Sequence, residues 1–255
     1  THYIGDGKGE EIIDYADNYR LGTTDIDTRT TYYYYASSAD LFARASNDLT
    51  GSYLTRTVTR RDPAGADTLK QVSFYKNQEK GEELVDWSRE YSYNGTSRKT
   101  TTLYRYGDNN TADWLDTVTV YKTDVKNVDP DDEIVPPDPA ETYAETAMKS
   151  KTYYVGELKG EELVHYVDTY RLGTTTVDSR ATYYYYASGN VFTEASASVM
   201  GSYLTRTITR RDPSGANTLK QISFYKNAEK GEELVNWSEE YTYGGTTPKT
   251  VTLYA

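Results

Sequence analysis

Side-chain chemistry could be concentrated in four short acidic motifs of this chain. The string Lys-Gly-Glu-Glu, followed by two aliphatic residues, begins at Lys8, Lys80, Lys159 and Lys230. Paired carboxylates raise the question of glycosidase chemistry, which needs two acids aimed into one cleft. Adjacent residues of a strand point to opposite faces, so Glu82-Glu83 and Glu232-Glu233 cannot form that pair. A cross-strand charge ladder on a wet sheet is the expectation, each contact contributing about 0.2–1 kcal/mol. Only two histidines are available. His2 lies near the first residue and is expected to fray. His165 takes the place of Asp14, Asp86 and Asn236 in the sister repeats, and so reads as a variable polar surface position. Two histidines and no cysteine cannot build a zinc cluster. No nucleophile elbow, phosphate-binding loop or dinucleotide fingerprint occurs. Asp129, Asp131, Asp132 and Glu133 offer the hard oxygen ligands that calcium takes. They lack EF-hand spacing and its glycine, and read as a solvated acidic stretch, with calcium the lesser alternative. No catalytic, cofactor-binding or metal residue is assigned, and no enzyme is expected.

The elements that carry these motifs are repeats. The segment GSYLTRTVTRRDPAGADTLKQVSFYKNQEKGEELVDWSREYSY begins at Gly51 and returns, nearly unchanged, from Gly201. Upstream, YRLGTTDIDTRTTYYYYAS from Tyr19 matches YRLGTTTVDSRATYYYYAS from Tyr170. The long period is about 150 residues, and the acidic motif divides it into units of about 70–80, so internal repetition is the strongest signal in the sequence. This gives a first repeat pair over 1–126 (units about 1–72 and 73–126) and an acidic, Pro-rich linker or long loop over 127–139. A second pair follows over 140–255 (units about 152–222 and 223–255, the last cut short). The chain reads as a piece of a longer array.

Within the repeats the pattern has period two, as in Tyr53-Leu54-Thr55-Arg56-Thr57-Val58-Thr59, which marks half-buried strands. Asp62-Pro63-Ala64-Gly65 and Asp212-Pro213-Ser214-Gly215 have type I turn chemistry. Asn94-Gly95 and Gly244-Gly245 are tight-hairpin signals, and Gly81 and Gly160 stand where a turn needs positive φ. The fold expected is all-β: an elongated antiparallel meander of roughly 16–20 strands in a thin or single-layer sheet. One short helix is expected near 139–149, where Asp138-Pro139-Ala140-Glu141 has capping-box spacing; a strand there is the alternative.

Composition narrows the function. The chain has 28 tyrosines against four Phe and two Met, a stock that suits a pleated half-wet surface better than a thick dry core. A net charge of −11 opposes a nucleic-acid partner, which needs a basic footprint. No apolar run reaches membrane-spanning length. Absence of cysteine removes any disulfide framework.

At YYYYASSADLF and YYYYASGNVF the chain resembles the tyrosine-rich repeats of large bacterial surface proteins. It is similar in flavour to the YD repeats of Rhs and teneurin-type shells, although the Tyr-Asp…Gly-Arg signature is absent. Its polar, two-sided strands are also similar to the single-layer sheet of spirochaete outer-surface lipoproteins. The resemblance implies an extracellular or cell-surface structural module. The expected role is a spacer or scaffold. The alternatives are an adhesion or carbohydrate-binding module with tyrosine-lined faces and a piece of an Rhs-like encasing shell. Partners implied are glycans or other surface proteins, with edge-to-edge self-association through open strands.

Overall fold

Alternating Thr, Tyr, Val and charged side chains cannot fill a thick core, but each strand can pair with the next in sequence when the turns are short. The computed structural model describes residues 1–37, 39–122 and 145–254. Its 17 strands are all antiparallel and run in meander order. The chain divides into two compact units, Thr1–Leu103 and a second that joins Tyr104–Tyr121 to the chain from Glu145 onward.

In the first unit, β1 (His2–Ile4), β2 (Ile12–Tyr19) and β3 (Ile26–Tyr34) pair in order. The two-residue β4 (Ala43–Arg44) and β5 (Leu54–Arg61) both pair with β3. β6 (Thr68–Lys76), β7 (Leu84–Tyr91) and β8 (Arg98–Tyr106), of which the first unit holds the part up to Leu103, complete the meander. The second unit repeats this plan. It holds β9 (Leu115–Lys122), β10 (Met148–Val155), β11 (Leu163–Tyr170), β12 (Val177–Ala187) and the short β13 (Asn190–Glu194). β14 (Leu204–Arg211), β15 (Thr218–Lys226), β16 (Leu234–Tyr241) and β17 (Pro248–Leu253) follow.

Register separates the chemistry of the two faces. Arg56, Phe74, Trp87 and Leu103 stand opposite one another across β5 to β8, and beside them run Thr57, Ser73, Ser88 and Thr102. Because successive residues point to opposite sides, one row is aromatic and the other is hydroxyl. The aromatic side is dry in places. Leu69, Val72, Phe74, Trp87 and Tyr91 form a buried cluster, and Phe42 from the β3–β5 connection packs on it. In the second unit Leu163, Tyr185, Ala195 and Val199 are buried together, with Val199 supplied by the β12–β14 connection. The thin sheet is thus patched by one folded-over connection in each unit.

The turns follow the sequence with two differences. Gly81 (φ 89°) and Gly160 (φ 80°) take positive φ, as do Gly9 and Gly231 in the same motif. Asp62–Gly65 closes with Gly65 N–H donating to the Asp62 carbonyl at 2.9 Å. The Asn94-Gly95 connection is wider than a two-residue hairpin: Ser92 N–H donates to the Ser97 carbonyl at 2.8 Å and Gly95 N–H to that of Ser92 at 2.9 Å. The Asn94 carboxamide accepts from the Ser92 hydroxyl at 2.5 Å, so local side-chain bonds set the loop length. The helix expected near 139–149 lies partly outside the described residues. Within them, Glu145–Ala147 is a single 3-10 turn, and Met148 already starts β10, which pairs with both β9 and β11.

Candidate functional site

Lys230 and Glu161 of two Lys-Gly-Glu-Glu motifs pair as charges, 3.7 Å apart, but the second glutamates do not serve a charge ladder. The second glutamate of three of the motifs, Glu11, Glu83 and Glu233, folds back over its own turn. Glu83 accepts Gly81 N–H on Oε2 and Leu54 N–H on Oε1, both at 2.8 Å. Glu233 does the same with Gly231 and Leu204, again at 2.8 Å. Glu162 accepts Leu115 N–H at 2.8 Å and Glu11 accepts Gly9 N–H at 2.6 Å. A carboxylate taking two backbone N–H groups is a charge-assisted clasp, and it ties the turn before one strand to the start of another. The lysine of the motif reaches the other way. Lys80 Nζ donates to the carbonyls of Glu10 and Thr50 at 3.1 and 2.5 Å. Lys230 Nζ donates to the Glu161 carbonyl at 3.3 Å. The motifs at Lys80 and Lys230 therefore join the 70-residue repeats within a unit, and the second glutamate of each is committed to structure. The signal was present in the sequence as the recurrence of Glu-Glu after Gly; what it lacked was the reach of the second side chain back to the amide.

The histidines are held more firmly than their sequence positions suggest. His2 lies in β1, stacks on Tyr15 with ring centroids 4.9 Å apart, and approaches Asp14 at 3.5 Å. Asp14 also accepts from Arg44 at 2.7 Å. At the matching place in the second unit His165 faces Glu194, with Nε2 3.7 Å from the carboxylate. The acid and the base have changed sides: Asp14 and Arg44 correspond to His165 and Glu194. His165, a variable polar position among the repeats, thus stands beside a carboxylate.

Two further polar groups are paired in each unit. Arg29 grips Asp17 through two bonds of 2.7 and 2.8 Å, and Arg180 grips Asp168 at the same distances. The guanidiniums lie 4.2 and 4.1 Å from the ring centroids of Tyr15 and Tyr166. Arg29 beside it holds the Asp17 carboxyl below the usual carboxylate range. Tyr34 and Tyr185 insert their hydroxyls against the β2 and β11 backbones, donating to the carbonyls of Ile13 at 3.0 Å and Val164 at 2.9 Å. Burial pushes Tyr34 up to about 12 and pushes Tyr185 higher still.

An aromatic cleft opens where the β3–β5 connection crosses the first sheet, and encloses about 330 Å³. Phe74 and Trp87, each 3% exposed, form its base. They stack at 4.0 Å, and Phe42 meets Phe74 edge-on at 5.6 Å. Tyr35 and Tyr53 stack at 5.0 Å and line it as a pair. Lys76, Asn77, Gln78 and Asp86 add polar groups of both signs. The second unit repeats the ring contacts: Phe224 on Trp237 at 4.1 Å, Tyr186 on Tyr203 at 5.1 Å, and Phe192 edge-on to Phe224 at 6.1 Å.

Chemically, these arrangements clasp, stack and pack. Among the described residues no group of three or more histidines and carboxylates is gathered as a metal site. Asp129, Asp131, Asp132 and Glu133 lie outside the described residues. No protein-family model matches the chain, and no curated protein sequence matches it.

Proposed function

We propose that this chain is a structural repeat segment, a spacer or scaffold of a bacterial cell-surface or secreted protein, without catalytic activity. The observation that carries the reading is the double use of the Lys-Gly-Glu-Glu motif. One glutamate of each candidate acid pair, Glu83 and Glu233, has both oxygens bound to backbone amides, in the same manner in both units. A carboxylate whose two oxygens are taken up by backbone N–H groups is engaged in structure and is poorly placed to meet a substrate. The repeated internal bonding suits a quasi-one-dimensional array whose units add stability by neighbour contacts. The absence of cysteine and the acidic charge are compatible with export. The test is functional display. Placed between a membrane anchor and an N-terminal epitope in a bacterial outer envelope, the chain should fold, resist protease and keep the epitope accessible to antibody. Degradation at the surface would count against the reading. So would hydrolase or transferase turnover in a broad substrate screen that a single point substitution abolishes.

A further inference from the structure

We infer that the second unit carries a docking groove for a short extended segment of a partner protein, anchored by an aromatic side chain that follows an aliphatic one. This adds a binding site to the spacer role and does not depend on that role. One pattern recurs three times along the chain. Tyr35 N–H donates to the Tyr53 carbonyl and Tyr186 N–H to that of Tyr203, each at 3.1 Å, and Gly107 N–H donates to the Trp114 carbonyl at 3.0 Å. The next residue of each downstream strand, Leu54, Leu204 or Leu115, gives its N–H to a motif glutamate at 2.8 Å. Tyr153 then stands opposite Thr117 and Tyr166, as Phe74 stands opposite Arg56 and Trp87. The rings stack alike, Tyr153 on Tyr166 at 4.4 Å. The connection from β8 to β9 is therefore a third version of the one that covers Phe74 and Phe224.

The third version is short. Seventeen residues separate Tyr35 from Tyr53 and 16 separate Tyr186 from Tyr203, but six separate Gly107 from Trp114, and none of the six carries a ring. In the long versions Leu41-Phe42 and Val191-Phe192 supply the cover, and each Phe meets the stacked pair edge-on, at 5.6 and 6.1 Å. Where the long versions stack two tyrosines, Trp114 lies over Gly107, and any Cβ there would meet the indole. Phe74 and Trp87 are each 3% exposed, whereas Tyr153 and Tyr166 are only half-buried. The space left open is a groove of about 970 Å³ lined by Trp114, Thr117 and Tyr153, and all of its lining belongs to the second unit. That size is at the upper end of ligand sites, roughly 300–1,000 Å³, and admits several residues of extended chain. The two covered places show what fills such a site: an aliphatic–aromatic pair on an extended segment, with the ring as the anchor. Charge agrees with this occupant. Asp40 and Arg44 flank Phe42, and the groove offers both signs in Arg105, Lys151, Asp116 and Glu157, so acid and base on either side of a docked ring each meet an opposite charge.

The probe is the capped peptide ADLFARAS, residues 39–46 of this chain, labelled with fluorescein and titrated with the full chain by fluorescence anisotropy. Binding with a Kd below about 1 mM is expected, and the Phe42→Ser form of the peptide should bind about tenfold more weakly or worse. Trp114→Ala in the protein should cause a loss of the same size. Arg105→Glu, at an exposed position on the rim, should weaken binding several-fold with the urea midpoint unchanged, and it carries the test if Trp114→Ala does not fold. Replacing residues 107–114 with residues 35–53 gives the second unit a cover of its own and should abolish binding. No binding up to about 1 mM, or equal affinity for the peptide and its Phe42→Ser form, overturns the inference. So does binding that survives the transplanted connection. Concentration-dependent dimerisation of the unaltered chain, lost with the transplanted connection, would give the groove to a second copy and overturn it too.

Discussion

A glutamate that accepts two backbone amides is worth more than the exposed charge it resembles. Replacing Glu83 or Glu233 with Gln keeps the shape but weakens two charge-assisted bonds, and each substitution should cost about 1–3 kcal/mol in urea unfolding. Glu232→Gln, at the exposed neighbouring position, should stay within about 0.5 kcal/mol. Equal effects at the two neighbours would refute the clasp. The buried tyrosines give an alkaline signature. A tyrosine titrates near 10 when unfolded and Tyr34 near 12 when folded. Its contribution is therefore complete below pH 10 and is lost as pH rises toward 12. Tyr34→Phe should lower stability at pH 8 by about 1 kcal/mol and flatten the fall above pH 10, measured by denaturant unfolding at both values. Asp17 works in the opposite sense: its folded pKa is lowered, so its stabilisation is present above the ordinary carboxylate range and fades as acid titrates it. Sequence reading located these residues but not their roles. Nothing in a Glu-Glu dipeptide, or in one tyrosine among four in a row, announces which side chain turns back to meet an amide two strands away.

Elements were far more legible than contacts. Alternation in the stretch from Tyr53 to Thr59 and the glycine of each acidic motif led to the strands and turns observed, because local sterics decide both. Gly81 and Gly160 sit in the left-handed region, where a β-branched residue is strained. Gly81→Val should cost roughly 1–2 kcal/mol or more, read as a lower urea midpoint with an unchanged slope. What local sterics could not decide was anything set by distant packing. Gly95 looked like half of a two-residue hairpin, yet it lies over β6, where an added methyl would stand 2.7 Å from the Leu69 nitrogen. Helical spacing extends to Met148, but from Met148 onward strand partners on both sides claim the chain. The candidate cleft was invisible for the same reason. Its rings come from β6, β7 and a connection some 30 residues earlier, and only the fold brings Phe42 onto Phe74.

At the scale of the molecule, stability is assembled from two copies of one plan, each with its own buried cluster. The two buried clusters use different strands of that plan, Phe74 and Trp87 in the first unit and Leu163 and Val199 in the second. Weakening one copy should therefore leave the other standing. Glu83→Gln should split the unfolding transition into two steps, with one step at the parent midpoint and one below it. Glu233→Gln should produce the complementary split. Tryptophan fluorescence and hydrogen exchange of the two clusters can follow the steps separately; a single cooperative transition in both variants would show that the units unfold as one.

Near-identical copies invite a particular error, in which a segment of one replaces its counterpart in the other, within a chain or between chains. The reversed polarity of the Asp14–Arg44 and His165–Glu194 pairs discriminates against it. The connection bearing Arg44 would meet an imidazole if it settled on the second sheet, and that bearing Glu194 would meet the carboxylate of Asp14. Both wrong pairings bring like or unmatched charge together, a cost that acts on identity rather than on fold. A single pair of exchanged residues thus serves as a molecular address. It lets the two units share nearly all of their sequence while each retains its own covering strand.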